Sequence, residues 1–259
     1  MLKPRVCVLR ADGTNCDEET AYAFSEAGAA AELVHVNQLR WGQRRLRDYH
    51  ILVIPGGFSY GDDVRSGKIL AVELTSYLKE ELFAFVERGR PVLGICNGFQ
   101  VLVRTGLLPY GRPHDLRVSL MGNDSGRFEC RWVNLVVNKT PCIFTAGLEG
   151  QVVTLQVAHA EGKFYAPAEE LENIEAQQLV VFRYADATGR PTQAYPANPN
   201  GSLHAIAGIC NPSGTILGLM PHPERYVQAW QYANWRRGVT GEPHGLAIFR
   251  NAVAYAREM

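Results

Sequence analysis

Residues 91–105 of the chain read PVLGICNGFQVLVRT, and this stretch decides the fold. The aliphatic run at 92–95 predicts a buried strand, and residues 97–105 look helical. Between them, residues 94–98 (GICNG) have the form G-x-Cys-x-G, the nucleophile-elbow pattern with cysteine in place of serine. The two glycines leave room for a sharp, strained turn, which lifts Cys96 above the carboxyl edge of a sheet. The N-terminus of the following helix favours a Cys96 thiolate.

Outward from this stretch, the first hundred residues alternate between strands and helices. The predicted strands are residues 5–10, 31–36, 51–55 and 92–95. The predicted helices are residues 17–28, capped by Asp17, and about 69–88, stopped by Gly89. The second helix has apolar residues at helical spacing: Leu70, Leu74, Tyr77, Leu78 and Phe85. This alternation predicts an open, doubly wound, mostly parallel sheet flanked by helices, which is an α/β fold.

The texture changes after Gly106, where short strands are joined by turns. The predicted strands are residues 128–137, 152–158, 179–184 and 205–210, followed by one more buried strand at 215–220. We expect them to form antiparallel elaborations on the sheet edge. Residues 184–202 are rich in Pro, Gly, Asn and Thr and predict a loop, and residues 244–257 predict a closing helix. We therefore expect one domain over residues 1–259.

The strand at 215–220 runs into Pro221-His222-Pro223-Glu224. Pro223 forces His222 into an extended conformation and suits the first turn of a helix. A Glu224 carboxylate two residues on can reach one imidazole nitrogen and leave the other free, which is the logic of a catalytic triad with Cys96. Two alternatives stay open from the residues alone: a turn histidine beside a helix-capping glutamate, and an inert buried thiol at Cys96.

An acyl-transfer site also needs two backbone N–H groups that face the developing negative charge. Asn97 offers one, because it directly follows the nucleophile. The Gly56-Gly57 turn after the third strand offers the other, because the missing side chains allow close approach. A plain turn at the end of a strand is the alternative for these glycines.

Composition excludes several classes of protein. Lys plus Arg and Asp plus Glu both count 26, so the formal net charge is zero and the basic excess of a nucleic-acid binder is missing. No apolar run approaches the roughly 20 residues that a membrane helix needs. The six cysteines show no CxxC pair, so neither a metal site nor a disulfide scaffold is indicated. The N-terminus does not read as a signal peptide, so we expect a cytoplasmic location.

Three motifs together carry a family resemblance. GICNGFQ (94–100), IPGGFSYGDD (54–63) and MPHPER (220–225) resemble class I, triad-type glutamine amidotransferases. More narrowly, they resemble the glutaminase subunits of phosphoribosylformylglycinamidine synthase, and the likeness covers nearly the whole chain. Further matching segments are DGTNCDEET (12–20), VAHAEGKFY (157–165), YPANPNGS (195–202) and AIAGICN (205–211).

The resemblance implies roles for particular residues. Cys96 is the nucleophile, His222 the base and Glu224 its orienting acid. Gly57 and Asn97 supply the oxyanion hole. The positions that resemble glutamine-binding residues are Gln100, His159, Glu161 and Gly162. From the residues alone, Gln100 also fits a surface helix and the other three a polar β-turn, while Asn198, Asn200 and Ser202 fit either a partner interface or a shaped loop.

The resemblance also implies a partner. The chain would release ammonia from L-glutamine and deliver it to a synthetase subunit, with a small accessory subunit in the same complex. The chain has no G-x-x-x-x-G-K-[ST] loop, so ATP and Mg²⁺ are expected on the partner and no cofactor in this chain. Neither nucleic acid nor a membrane is expected to bind.

Other functions remain open at this point. One is a stand-alone cysteine hydrolase of amides or γ-glutamyl bonds, and another is the glutaminase subunit of a different synthetase. A third is a non-catalytic module, which the intact triad disfavours. Residues 226–242 are longer and more aromatic than in the shortest members, and they predict either an exposed docking surface or, preferably, a helix on the core.

Overall fold

The computed structural model describes residues 3–238 and 241–259 of the chain. The part of the predicted 226–242 segment at residues 239–240, and the first two residues of the predicted domain, lie outside the described residues. The first half contains four strands: β1 (Arg5–Arg10), β2 (Ala30–His35), β3 (Ile51–Ile54) and β4 (Val92–Ile95). These bounds match the predicted strands to within one residue.

The second half contributes seven strands. They are β5 (Ser119–Gly122), β6 (Glu129–Val137), β7 (Val152–His159), β8 (Glu161–Tyr165), β9 (Val180–Ala185), β10 (Ile206–Cys210) and β11 (Ile216–Leu219). Five of them are the predicted strands. The sequence reading missed β5 and β8, which pair with each other in a separate two-stranded antiparallel sheet.

The nine-stranded main sheet has the order β2-β1-β3-β4-β11-β10-β9-β6-β7. The five strands from β2 to β11 are parallel, and β10, β9, β6 and β7 extend the sheet by antiparallel pairing. The predicted open, mostly parallel α/β sheet with antiparallel elaborations is therefore confirmed. Because β3, β4 and β11 are parallel neighbours, their carboxyl ends meet at one point of the sheet edge.

Seven helices accompany the sheets among the described residues: α1 (Asp17–Glu26), α2 (Val36–Arg40), α3 (Lys68–Ser76), α4 (Lys79–Glu87), α5 (Asn97–Thr105), α6 (Ala168–Ala176) and α7 (Leu246–Glu258). The helix α1 packs on α7, and α3 packs on α5, so helices flank the sheet. Every residue of β3, β4, β10 and β11 is buried, as expected for strands covered on both faces. No helix in the described ranges is long and apolar enough to cross a membrane.

The prediction of one long helix at 69–88 is wrong, because α3 and α4 are separate helices. At the break, the N–H groups of Tyr77 and Leu78 both donate to the carbonyl of Glu73, at 2.9 and 3.4 Å. This widened turn absorbs one extra residue, so that Leu74 and Leu78 both remain buried. Tyr77, predicted on the apolar face, is 59% exposed and lies under the guanidinium of Arg40.

Two local predictions also need correction. Asp17 does not cap α1: it is the first helical residue, and its carboxylate pairs with Arg10 at 2.9 Å. The sequence did not predict helix α6, because the helix has few apolar residues and many charged ones. Its buried residues are Glu170, Leu171 and Ile174. Tertiary packing of this short apolar stripe, not intrinsic helix propensity, stabilises it.

Candidate active site

Cys96 lies at the end of β4 in the strained conformation that the elbow pattern predicts. Its φ of 50° and ψ of −104° fall in a region that residues other than glycine rarely occupy. A Cβ on Gly98 would lie 1.8 Å from the Ile54 carbonyl oxygen, and one on Gly94 would lie 2.6 Å from the Gly98 carbonyl oxygen. Only glycine fits at both positions, so strand, turn and helix can approach closely enough to hold Cys96 at the sheet edge.

The partners of Cys96 follow β11, the strand next to β4. His222 is extended, and its backbone N–H donates to the Gln156 carbonyl at 2.7 Å. Its Nδ1 lies 2.6 Å from Oε1 of Glu224, which is fully buried. Pro223 opens a single 3₁₀ turn that brings the Glu224 carboxylate back to the imidazole. The predicted geometry of base and orienting acid is therefore present.

Charge around His222 favours its imidazolium form. Burial opposes a charge on the ring, but the Glu224 carboxylate and the thiols of Cys96 and Cys16 outweigh burial and hold the pKa of His222 well above its ordinary value. Cys96 is therefore one of the groups that favour the charged ring.

The two predicted oxyanion donors lie at the ends of adjacent strands. Gly57 follows β3 with a φ of 144°, and its backbone pairs with Thr14. A Cβ on Gly56 would lie 2.7 Å from Cε1 of His222, so this turn passes directly beside the base. The N–H of Asn97, in the first turn of α5, has no intrahelical acceptor. Both N–H groups belong to the same strand-end cluster as the Cys96 sulfur.

A buried polar network supports this cluster. The Asn97 side chain accepts from the Ser59 hydroxyl at 2.7 Å and donates to Gln100 Oε1 at 3.0 Å. Gln100 Nε2 in turn donates to the Glu161 backbone carbonyl at 2.5 Å. Gln100 is only 5% exposed, so the surface-helix alternative is wrong. Its amide links the elbow helix to β8.

The segment with His159, Glu161 and Gly162 forms the wall opposite Gln100, at the junction of β7 and β8. His159 is 3% exposed, and its Nδ1 lies 3.1 Å from Oδ1 of Asn123. The same Asn123 oxygen accepts from the Gly162 N–H at 3.1 Å, and the Asn123 amide donates to the His159 carbonyl at 2.8 Å. The polar β-turn alternative is wrong, because these residues belong to strands around a buried asparagine.

The pKa of His159 is shifted in the opposite direction to that of His222. Burial and the positive charge of His222 lower the pKa of His159 to about 3. His159 is therefore a neutral imidazole at physiological pH, and it shapes the wall without adding charge. Asn123 organises the same wall, yet nothing in its local sequence distinguishes it, so sequence reasoning missed it.

The Asn-Pro-Asn-Gly-Ser stretch shapes a loop. Asn198, Asn200 and Ser202 are all buried. The Asn200 amide donates to the Gly162 carbonyl at 2.8 Å, and the Ser202 hydroxyl accepts from the Phe164 N–H at 2.9 Å. Their side chains are thus used inside the protein, where they hold β8 against the site. Direct partner contact by these three side chains is excluded by their burial.

A cavity of about 440 Å³ is lined in part by Gln100. Its walls include Arg65, Arg104 and Arg117, and its lining residues include no carboxylate. The sequence did not predict that these arginines line one cavity. It joins α5 to the two-stranded sheet, which the sequence reading had also missed.

Two further predictions need revision. Residues 226–238 form short 3₁₀ turns, not the helix that the sequence favoured. Tyr226 and Tyr232 stack together against Trp132, whereas Trp230 and Trp235 are 61% and 46% exposed. Sequence reasoning gave Cys16 no role in the site, yet Cys16 is buried and lies beside His222 at the Gly56 turn. Cys130 is exposed on β6.

Comparison with known proteins agrees with this geometry. Residues 3–256 match the family described as the CobB/CobQ-like glutamine amidotransferase domain. The chain is similar to phosphoribosylformylglycinamidine synthase subunit PurQ of Dehalococcoides mccartyi, with 45% identity over 261 residues and 100% of both chains covered. It is also 45% identical to the subunit of the same name from Archaeoglobus fulgidus over 271 residues, covering 98% of each.

Solved structures show the same likeness. The structure of PurLQS from Thermotoga maritima contains a chain that matches with a TM-score of 0.76 and 33% identity, covering 98% of this chain and 99% of that one. The glutaminase domain of Trypanosoma brucei CTPS matches with a TM-score of 0.58 at 14% identity, which shows a shared fold alone.

Proposed function

The chain belongs to the CobB/CobQ-like glutamine amidotransferase family and, within it, to the PurQ subunits of phosphoribosylformylglycinamidine synthase, and on that premise we propose the following reaction. The protein is the glutaminase subunit of this purine-biosynthetic synthase. It hydrolyses L-glutamine to glutamate and ammonia. The synthetase partner uses the ammonia to convert formylglycinamide ribonucleotide to the amidine.

Each step of hydrolysis has a residue in the cluster. The Cys96 thiolate attacks the side-chain carboxamide carbon of glutamine, and the N–H groups of Gly57 and Asn97 hold the oxyanion. The His222 imidazolium donates a proton to the leaving nitrogen, so ammonia departs and a γ-glutamyl thioester remains. Neutral His222 then activates a water molecule that releases glutamate. Glu224 keeps the ring oriented throughout and stabilises its charged form.

We assign the α-amino and α-carboxylate groups of glutamine to the wall formed by residues 159–162. Gln100, His159, Glu161 and Gly162 border this space, and the Glu161 carboxylate suits the substrate ammonium group. The adjoining cationic cavity favours a carboxylate by its charge. We assign no metal to the reaction, because thiolate, imidazole and two backbone donors supply all of its steps.

The observation that carries this proposal is the 2.6 Å contact between His222 and Glu224 beside a strained Cys96. Its test is Cys96→Ser in the complex with the synthetase subunit. Glutamine-dependent amidine synthesis is expected to vanish while ammonia-dependent synthesis survives. Cys130→Ser, at an exposed cysteine, is the matched control and should retain both activities. Loss of ammonia-dependent synthesis in Cys96→Ser would contradict a role confined to glutamine hydrolysis.

The partner completes the reaction. Ammonia released without an acceptor is wasted, so we propose that the isolated chain is a slow glutaminase that the synthetase accelerates. Equal rates of glutamate release with and without the synthetase would contradict this coupling. We further propose that ATP and Mg²⁺ bind the synthetase, that residues 1–259 form one amidotransferase domain, and that the complex works in the cytoplasm.

A further inference from the structure

The proposed reaction leaves one buried thiol of the active site unused. Cys16 is 2% exposed and precedes α1, and its backbone N–H donates to the Gly56 carbonyl at 3.2 Å. This bond draws the first loop of the chain to the glycine turn at the end of β3. A Cβ on Gly56 would lie 3.2 Å from Cys16 Sγ and 2.7 Å from His222 Cε1, so sulfur and ring flank the same turn.

Three potential metal ligands converge there. The Cys16 sulfur, a ring nitrogen of His222 and a carboxylate oxygen of Glu224 all lie within 4.8 Å of one another, and all three residues are buried. Nε2 of His222 and Oε2 of Glu224 are also buried, and neither has a hydrogen-bond partner in the described part of the chain. Two unpartnered ligand atoms therefore accompany the thiol in one pocket, a situation that normally calls for an explanation.

The chemistry of these atoms selects a class of cation. Thiolate, imidazole and carboxylate are the ligands of zinc, at about 2.0 to 2.3 Å from the metal. Ligand atoms around a tetrahedral zinc are consequently roughly 3.3–3.8 Å apart, so closure of the observed cluster needs shifts of about 1 Å. A soft thiolate disfavours Mg²⁺ and Ca²⁺, which prefer oxygen ligands alone.

A neighbouring cation prepares the thiol for this role. Arg225 Nη2 lies 3.4 Å from Cys16 Sγ and donates to it. This contact orients the sulfur, and a cation that binds the sulfur displaces the thiol proton.

We propose that Cys16, His222 and Glu224 form an inhibitory binding site for a soft divalent cation of the Zn²⁺ class. The cation displaces a proton from a ring nitrogen of His222 to solvent and binds that nitrogen, which then neither donates nor accepts a proton. Glutamine hydrolysis therefore stops while the metal is bound, and removal of the metal restores it. The bound cation has no role in the reaction itself.

The direct test uses Co²⁺ alone as a spectroscopic probe of the full chain. Wild type should bind one Co²⁺ per chain with a thiolate-to-cobalt charge-transfer band, and Zn²⁺ should abolish the band. Cys16→Ser should lose most of the band, whereas Cys130→Ser should keep it. No band in wild type, or an unchanged band in Cys16→Ser, would overturn the proposal. Because this readout needs no glutaminase activity, it stands or falls separately from the proposed function.

Inhibition gives the second test, in the complex with the synthetase subunit. Zn²⁺ should reduce glutamine-dependent activity reversibly, with recovery on addition of a chelator and with ammonia-dependent activity unaffected. Relative to each protein's own metal-free rate, Cys16→Ser should need at least about 10-fold more Zn²⁺ for the same inhibition. Cys16→Ala serves if the serine variant does not fold. Equal Zn²⁺ sensitivity of wild type and variant would assign the metal to Cys96 and His222 alone and refute the site.

Discussion

Replacement of His159 by glutamine should change how the stability of the protein depends on pH. The His159 ring is 3% exposed, and burial together with the charge of His222 lowers its pKa to about 3, against 6.5 for an ordinary histidine. In the unfolded chain the ring becomes solvated and takes up a proton near pH 6.5. Below that pH the unfolded state binds more protons than the folded state, so acid favours unfolding.

The magnitude follows from the gap between the two pKa values. Each pH unit between 6.5 and about 3 costs about 1.4 kcal/mol of folding free energy. Between pH 7.5 and pH 5, His159 should therefore remove roughly 2 kcal/mol from the stability of wild type. His159→Gln lacks this loss, although it forfeits packing against Gly162 at every pH. The stability gap between wild type and variant should thus shift by roughly 2 kcal/mol in favour of the variant.

Urea unfolding of both proteins at several pH values between about 7.5 and 5 measures how the difference in stability changes with pH. Fluorescence and circular dichroism serve as independent probes. His114→Gln, at an exposed histidine, controls for the loss of an imidazole as such. Curves of stability against pH that run parallel for wild type and His159→Gln would refute the argument. Parallel curves would mean that the pKa of His159 is the same in the folded and the unfolded protein.

Three further substitutions test the site. Gly98→Ala places a Cβ 1.8 Å from the Ile54 carbonyl oxygen, so urea unfolding should show a loss of stability of about 3 kcal/mol or more. The control Gly122→Ala, whose Cβ would have no atom within 4 Å, should show almost no loss. Glu224→Gln removes the charge that favours the catalytic imidazolium, so kcat for glutamine should fall by about 10³- to 10⁴-fold, and an unchanged rate would contradict the triad. Asn200→Ala leaves the buried Gly162 carbonyl of β8 without its hydrogen-bond donor, so urea unfolding should show a loss of about 2–4 kcal/mol. The KM for glutamine should also rise, and an unchanged KM would limit the role of Asn200 to stability.

Much of the fold and of the proposed catalytic triad could be predicted because the relevant signals are local. The glycines around Cys96 and the proline between His222 and Glu224 restrict the backbone within a few residues of the reacting groups. Short aliphatic runs likewise predict the buried strands, because a strand covered on both faces of a parallel sheet is apolar along its whole length. The break at Tyr77 was not predictable, because the periodicity of apolar residues continues across it.

The supporting contacts could not be predicted, since they join distant parts of the chain. Asn123 reaches His159 across 36 residues, and Asn200 reaches Gly162 across 38. An asparagine on a polar loop has the same local sequence whether it is solvated or buried. Its role depends on which strands lie beside it, and the pairing of β5 with β8 gave no alternating pattern that the sequence reading recognised.

Local sequence is sufficient to predict the elbow at Cys96, the adjacent His222 and Glu224, and the parallel sheet that carries them. Steric limits on a few adjacent residues are sufficient for each of these. Only the tertiary structure decided that the loop with Cys16 closes over the Gly56 turn and delivers a second thiol to the base. The order of β1, β3, β4 and β11 in the sheet brings those loops to one edge, and no short segment encodes that order.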